Sequence, residues 1–435
     1  MTDQPRNIVI CCDGTANEIS ENISNVLKLY RCLYKKPGDE PRQIVYYDPG
    51  VGTLSRPSTW HKWRQDFNAI LGLATGYGLD DNVLAAYQFL VNTWREGDRI
   101  YLFGFSRGAY TVRVLAGLIH KVGLIVPEQV NLAGFGLIAY KQFSSDSPSQ
   151  GLNLDEITEA GSDQDGPLPT SHFDNAAQFA RITGSRWPDI DFVGVWDTVA
   201  SVIVPRPDRY FWPSLEELAF TIANPSVKVF RQAISIDERR CMFRLDEWDD
   251  PQDCVSQPSY GSRGDRSKHV GKQDILQVWF AGVHADIGGG YPEAESAISK
   301  YPLIWMIDQA AAHGLALKPW TVRQLAWGIQ RPDPKFRYVA PDCLADAHDS
   351  MNFAWRLLEC VPKRTTYKEW PARKSRFGFY IPCKEPRPIP EGAVIHESVV
   401  KRIAEREDYE PVNMPKTFTT FPMPTRPPPQ EAGEG

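Results

Sequence analysis

Gly104-Phe105-Ser106-Arg107-Gly108 follows directly on the apolar run Arg99-Ile100-Tyr101-Leu102-Phe103. The five residues read Gly-x-Ser-x-Gly, a serine on a sharp strand-to-helix turn. Small neighbours on both sides let the chain bend and leave the hydroxyl exposed above a sheet. A helix is expected next, because Ala109, Val112, Leu115, Ala116 and Ile119 recur at helical spacing.

Upstream, Asn7–Cys12 is a continuous apolar run ending in Asp13-Gly14-Thr15, which reads as a parallel strand and its loop. A helix is expected between Asn22 and Tyr34, a strand at Gln43–Tyr47, and a helix from about Leu79 to Trp94 with Asp80 and Asp81 in its first turn. Downstream, the chain reads as irregular past Ile119 until Asp191–Trp196, a strand ending at Asp197-Thr198-Val199. Val227–Ile236 is a further strand, ending in Asp237-Glu238-Arg239-Arg240, and Ile275–Val283 another, ending at His284-Ala285-Asp286-Ile287 and Gly288-Gly289-Gly290. A helix is expected at Tyr301–His313.

Strands alternating with helices define the fold class as α/β. The expected architecture is α/β-hydrolase-like: a mostly parallel sheet flanked by helices, with insertions and a C-terminal irregular or helical extension. The expected organisation is a catalytic domain over residues 1–319 with loop insertions at 144–174 and 249–272, a subdomain over 320–412 packed on the core, and a Pro-rich disordered tail over 413–435.

The chain has 435 residues, 42% hydrophobic and 23% charged, which is enough for a large core. A net charge of −6 with no Lys/Arg block argues against nucleic acid as partner. It gives no overall attraction to anionic lipid, although a local basic face is compatible with it. No signal peptide and no transmembrane run are expected, which places the protein in the cytoplasm or has it exported without a signal peptide. The eight cysteines contain no C-x-x-C pair and read as free thiols, and adjacent Cys11 and Cys12 should point to opposite faces of a strand.

A serine hydroxyl needs a base, usually a histidine oriented by a carboxylate. Among the eight histidines, only His284 directly follows an apolar strand and precedes a Gly-rich turn, with His396 the next choice. For the acid, Asp197 and Asp237 both follow suitable strands, and the pattern alone does not separate them, although the charged neighbours of Asp237 suggest an ion-pair cluster. Ser106, then an aspartate, then His284 is the chain order of α/β-hydrolases. Backbone N–H groups of Arg107 and of Gly14 or Thr15 are candidate oxyanion donors, and Asp13 and Asp286 are further site candidates. Neither a metal nor another cofactor is expected: one histidine without a second ligand pair at characteristic spacing does not make a zinc site. The apolar stretch Val202–Pro205 and the aromatic stretch Tyr210–Pro213 are candidates for an acyl pocket or lid.

Cys12-Asp13-Gly14-Thr15, Tyr87–Leu90 leading to Gly97-Asp98, Gly104–Tyr110, Val195–Val199, Ile236–Arg240 and His284–Tyr291 together resemble the DUF2235 family of α/β-hydrolases. That family includes the catalytic domain of Tle1-type phospholipase effectors of bacterial type VI secretion. The resemblance spans roughly residues 7–310 and implies a Ser106, Asp197 and His284 triad, which favours Asp197 as the acid. It implies ester hydrolysis, with phospholipids as substrates in the effectors. The expected partners are therefore a lipid or small ester substrate, with peripheral membrane contact. The alternatives are a soluble carboxylesterase or thioesterase on small acyl substrates, and a non-catalytic scaffold that keeps the fold. Against that resemblance, the sequence is expected to be compact, with no evident membrane-facing module, long lid insertion or secretion-adaptor region within it.

Overall fold

Runs of Val, Ile, Phe and Tyr that are apolar on both sides have only one comfortable home, the middle of a sheet covered on both faces. The structure is a computed structural model that describes residues 5–14, 22–50, 78–146, 175–199, 203–205, 213–215, 218–255, 270–330, 336–351, 353–365 and 368–427. The runs form strands β1 (Asn7–Cys12), β2 (Gln43–Asp48), β3 (Arg99–Phe105), β4 (Phe192–Trp196), β5 (Val229–Ser235), β6 (Asp274–Phe280), β7 (Val394–His396) and β8 (Thr419–Phe421). Their order across the sheet is β8-β7-β6-β5-β4-β3-β1-β2, and every neighbouring pair is parallel. All residues of β1, β4 and β5 are buried.

Alternation along β1 divides the core in two. Ile8, Ile10 and Cys12 face one side, Val9 and Cys11 the other, so the adjacent cysteines do point to opposite faces. On the first side lie α2 (Leu79–Thr93), α3 (Arg107–Val122) and α4 (Ala133–Asp146), through residues such as Val83, Leu115 and Leu137. The second is covered by α1 (Asn25–Cys32) and α5 (Lys300–Ala312), through Val26, Leu29, Leu303 and Met306. Because α1 and α2 lie on opposite faces, the chain changes direction of growth between β1 and β3. Ligands collect above the carboxyl ends of the strands at such a switch point.

Three expectations are corrected. The chain is not irregular past Ile119: α4 forms there, held by buried Leu137 and Tyr140, and Gly134 and Gly136 had masked its helical pattern. The extension after 320 does more than pack on the core. It contributes β7 and β8 to the same sheet, each of three residues and too short to show a period. Part of the expected disordered tail, Thr419–Phe421, is therefore β8, paired in register with Val394–His396. Of the expected insertions, Asp253–Val255 and Val270–Lys272 form a short antiparallel ribbon, whereas 147–174, 256–269 and the end of the tail from 428 lie outside the described residues.

Candidate active site

Register brings the ends of β1, β3, β4 and β5 level: Cys12 stands opposite Gly104, Gly104 opposite Val195, and Trp196 opposite Ala233. The residues that follow these strands therefore share one edge. Ser106 stands between β3 and α3 at φ 56° and ψ −122°, a conformation that costs a non-glycine residue about 1–3 kcal/mol. Its N–H donates to Trp196 O at 3.1 Å, and its carbonyl accepts from the Tyr110 N–H at 3.3 Å. The flanking glycines are sterically required. A Cβ on Gly104 would lie 2.5 Å from Gly108 O, and one on Gly108 would lie 2.2 Å from Cys12 O.

The structure brings Asp197 and His284 together. Nδ1 of His284 lies 2.5 Å from Oδ2 of Asp197. An ionised carboxylate only accepts, so Nδ1 carries the proton and Nε2 keeps its lone pair. That Nε2 is buried and has no hydrogen-bond partner among the described residues. The ring lies between Phe105, 4.7 Å away, and the edge of Phe243, 4.9 Å away. Burial lowers the imidazole pKa, and the Asp197 hydrogen bond and charge offset only part of the effect. A neutral base at pH 7 results.

Asp237, the competing acid, is used elsewhere. Its Oδ2 accepts from the Gly282 N–H at 2.7 Å and from the Tyr409 hydroxyl at 2.9 Å. His396 is also occupied, as the N-cap of α6 (Glu397–Glu405), where Nδ1 accepts from the Ser398 N–H at 3.2 Å. Glu238 orients the histidine backbone: its Oε2 accepts the His284 N–H at 3.2 Å and pairs with Arg240 at 2.7 Å.

One residue of the site escaped the sequence reading. Arg387, buried to 3% exposure, clamps Asp197 with Nη1 2.6 Å from Oδ1 and Nη2 3.1 Å from Oδ2, and Nη2 also donates to Phe243 O at 2.8 Å. Burial alone would raise the Asp197 carboxyl pKa, but the Arg387 charge and the His284 hydrogen bond outweigh it and hold the group well below the usual carboxylate range. Nothing in Glu385-Pro386-Arg387-Pro388 signals this role, since an arginine 190 residues from its partner leaves no local pattern.

The remaining candidates divide. Asp13 is buried beside the serine turn, accepting from the Ser24 hydroxyl and from the Tyr47 hydroxyl at 2.8 Å. Its Oδ1 takes the Gly14 N–H at 2.7 Å, which engages that expected oxyanion donor elsewhere. Thr15 lies outside the described residues. Arg107 opens α3, directly after Ser106. Asp286 instead takes His348 Nδ1 at 2.7 Å. Ile203–Pro205 and Pro213–Leu215 pair as a ribbon, while Val202, Tyr210, Phe211 and Trp212 lie outside the described residues.

The sheet and its serine turn define a protein of the α/β-hydrolase-like fold. The chain belongs to the type VI secretion phospholipase effector Tle1-like catalytic domain family, whose model matches residues 6–309. An uncharacterized protein of Saccharomyces cerevisiae is 25% identical over 432 residues, covering 80% of this chain and 62% of that protein. A crystal structure of an uncharacterized Pseudomonas aeruginosa protein is 18% identical, with 72% of this chain and 46% of that one covered at a TM-score of 0.34. The Tle1 effector bound to the VgrG spike of the type VI secretion system is 17% identical, with 68% and 53% covered at a TM-score of 0.33. The chain thus spans about half to three-fifths of these relatives. No helix among the described residues is long and apolar enough to cross a membrane.

Proposed function

We propose that the protein is a serine esterase acting on phospholipid acyl esters, with Ser106, Asp197 and His284 as its triad. The observation that carries this reading is the His284 Nε2 atom, buried, neutral and without a partner among the described residues, on a ring fixed by Asp197. Membership of a family described by phospholipase effectors supplies the substrate class.

In the proposed reaction, Ser106 Oγ attacks the acyl carbon while His284 Nε2 takes its proton. The tetrahedral oxyanion is met by the Arg107 N–H at the start of α3; one such donor is worth a factor of roughly 100–1000 in rate. Collapse expels the alcohol, which leaves with the proton from His284. Water then repeats the sequence on the acyl-enzyme and releases the fatty acid. Asp197 keeps Nδ1 protonated and stabilises the imidazolium formed at each step.

The test is release of fatty acid from phospholipid vesicles by wild type and by Ser106→Ala, alongside short p-nitrophenyl esters. Release from vesicles that is lost in Ser106→Ala supports the reading. Turnover confined to short esters would replace it with a soluble esterase. No Ser106-dependent turnover on any ester would leave a non-catalytic hydrolase fold.

A further inference from the structure

Between Lys363 and Lys384 the sequence carries seven Lys or Arg residues and one acidic residue, in a chain of net charge −6. The structure folds part of this stretch into a three-stranded antiparallel sheet of Lys363–Arg364, Phe379–Tyr380 and Ser375–Arg376. Its hairpin turns at Phe377-Gly378, both at positive φ (52° and 79°), the geometry of a tight two-residue turn.

Register sorts the side chains by face. Phe379 stands opposite Arg364 on one side and Arg376 on the other, and Tyr380 stands opposite Lys363 and Ser375. Directly opposed residues share a face. The Tyr380 face is turned inward, with its hydroxyl donating to Glu385 at 2.8 Å and accepting from Arg244 at 3.2 Å. The Arg364, Phe379 and Arg376 row is turned to solvent. Phe377, at the tip, is 86% exposed, and Leu357, Val361 and Ile381 are exposed nearby in the chain. The single acid, Glu369, is paired at 3.1 Å with Arg244 of the body. Arg373, Lys374 and Arg376 border an open groove of about 490 Å³.

The hairpin also sits at the right end of the molecule. It packs on the loop that leaves the carboxyl end of β5: Lys363 Nζ reaches Cys241 O at 3.5 Å, and the same loop presents Phe243 to His284. An exposed aromatic tip flanked by cations with no acidic partner among the described residues, on the face that holds the site, is suited to one kind of surface. Aromatic rings settle at the level of lipid headgroups, and cations are drawn to anionic ones.

We propose that the Ser375–Tyr380 hairpin and its neighbours dock the protein on anionic phospholipid membranes, with Phe377 entering the interface and Arg364, Lys374 and Arg376 meeting lipid phosphates. Its purpose rests on the lipolytic reading above; the docking itself is measured without turnover. Full-length Ser106→Ala protein is sedimented with phosphatidylcholine vesicles with and without phosphatidylglycerol. Binding is expected to be at least about tenfold tighter to the anionic vesicles and to weaken with salt, and Lys374→Glu/Arg376→Glu should remove the preference, since each cation near such a surface contributes a factor of roughly five. Phe377→Ala, at an exposed tip, should weaken binding to the anionic vesicles.

Equal binding to both vesicles, or undiminished preference in the double charge reversal, overturns the proposal. Soluble short-ester turnover by the charge-reversed protein with Ser106 intact is expected at the wild-type rate. Its absence in wild type as well would count against the esterase reading alone, leaving the vesicle binding to decide the hairpin.

Discussion

Replacing Arg387 with methionine removes the only cation that touches the Asp197 carboxylate among the described residues, while keeping a long side chain in the same space. Asp197 is fully buried, and breaking a buried ion pair by deleting one partner typically costs about 3–5 kcal/mol. Denaturant unfolding at pH 7 should register a loss in that range. A second effect lies in the imidazole. With Arg387 2.6 Å from one side of the carboxylate and His284 2.5 Å from the other, the guanidinium and an imidazolium would stand ~7 Å apart. At an effective dielectric constant of ~20 they repel by ~2.4 kcal/mol. Arg387→Met should therefore raise the His284 pKa, and Arg387→Lys, which keeps the charge, should raise it far less. Side-chain ¹⁵N NMR of His284 reads this directly, and the acid limb of the pH–rate profile reads it through activity. A stability loss under ~1 kcal/mol together with an unmoved His284 titration would refute the reasoning.

Further predictions concern sterics and pH. Gly288→Ala places a Cβ 1.9 Å from the Phe105 ring, which packs on His284; overpacking of this kind costs about 1–3 kcal/mol, and thermal unfolding with kcat should show both a lower midpoint and lower turnover. Gly108→Ala meets the Cys12 carbonyl, which is backbone and cannot yield, so expression of folded protein, followed by circular dichroism, should fall more than for Gly288→Ala. Because burial holds the His284 pKa below its ordinary value, wild-type kcat/KM should be at its plateau at pH 7 and fall only as the pH drops below about 6.5. His396 is likewise held neutral, its pKa lowered by burial to about 3. The folded state then binds fewer protons than the unfolded one below pH 6.5, so its contribution is complete above that pH and is lost on acidification. His396→Asn, which keeps an N-cap acceptor, should lose about 2 kcal/mol less than wild type between pH 7 and pH 5 in denaturant unfolding.

What the sequence made legible is what depends on local pattern. The fully buried strands announce themselves as apolar runs, and the serine turn as small residues around Ser106, because those constraints act within a few positions. His284 stood out for a local reason too, following an apolar strand and preceding glycines that let the chain pass close to Phe105. The choice between Asp197 and Asp237 needed geometry, since both follow buried strands and only the side-chain partners differ. Strands β7 and β8, each of three residues, fell below any periodic signal and are made by pairing rather than by propensity. Arg387 and the face of the Ser375–Tyr380 hairpin that looks outward were invisible for the same reason: they are set by chain segments far apart in sequence or by register across strands.

The central claim is that Ser106 is a nucleophile activated by His284 on a lipid ester. The most direct measurement is fatty-acid release from phosphatidylcholine/phosphatidylglycerol vesicles by wild type, Ser106→Ala and His284→Ala at equal folded concentration. The account predicts release by wild type and a loss of at least about a thousandfold in each variant. Release that persists in Ser106→Ala, or no release by wild type, would contradict it.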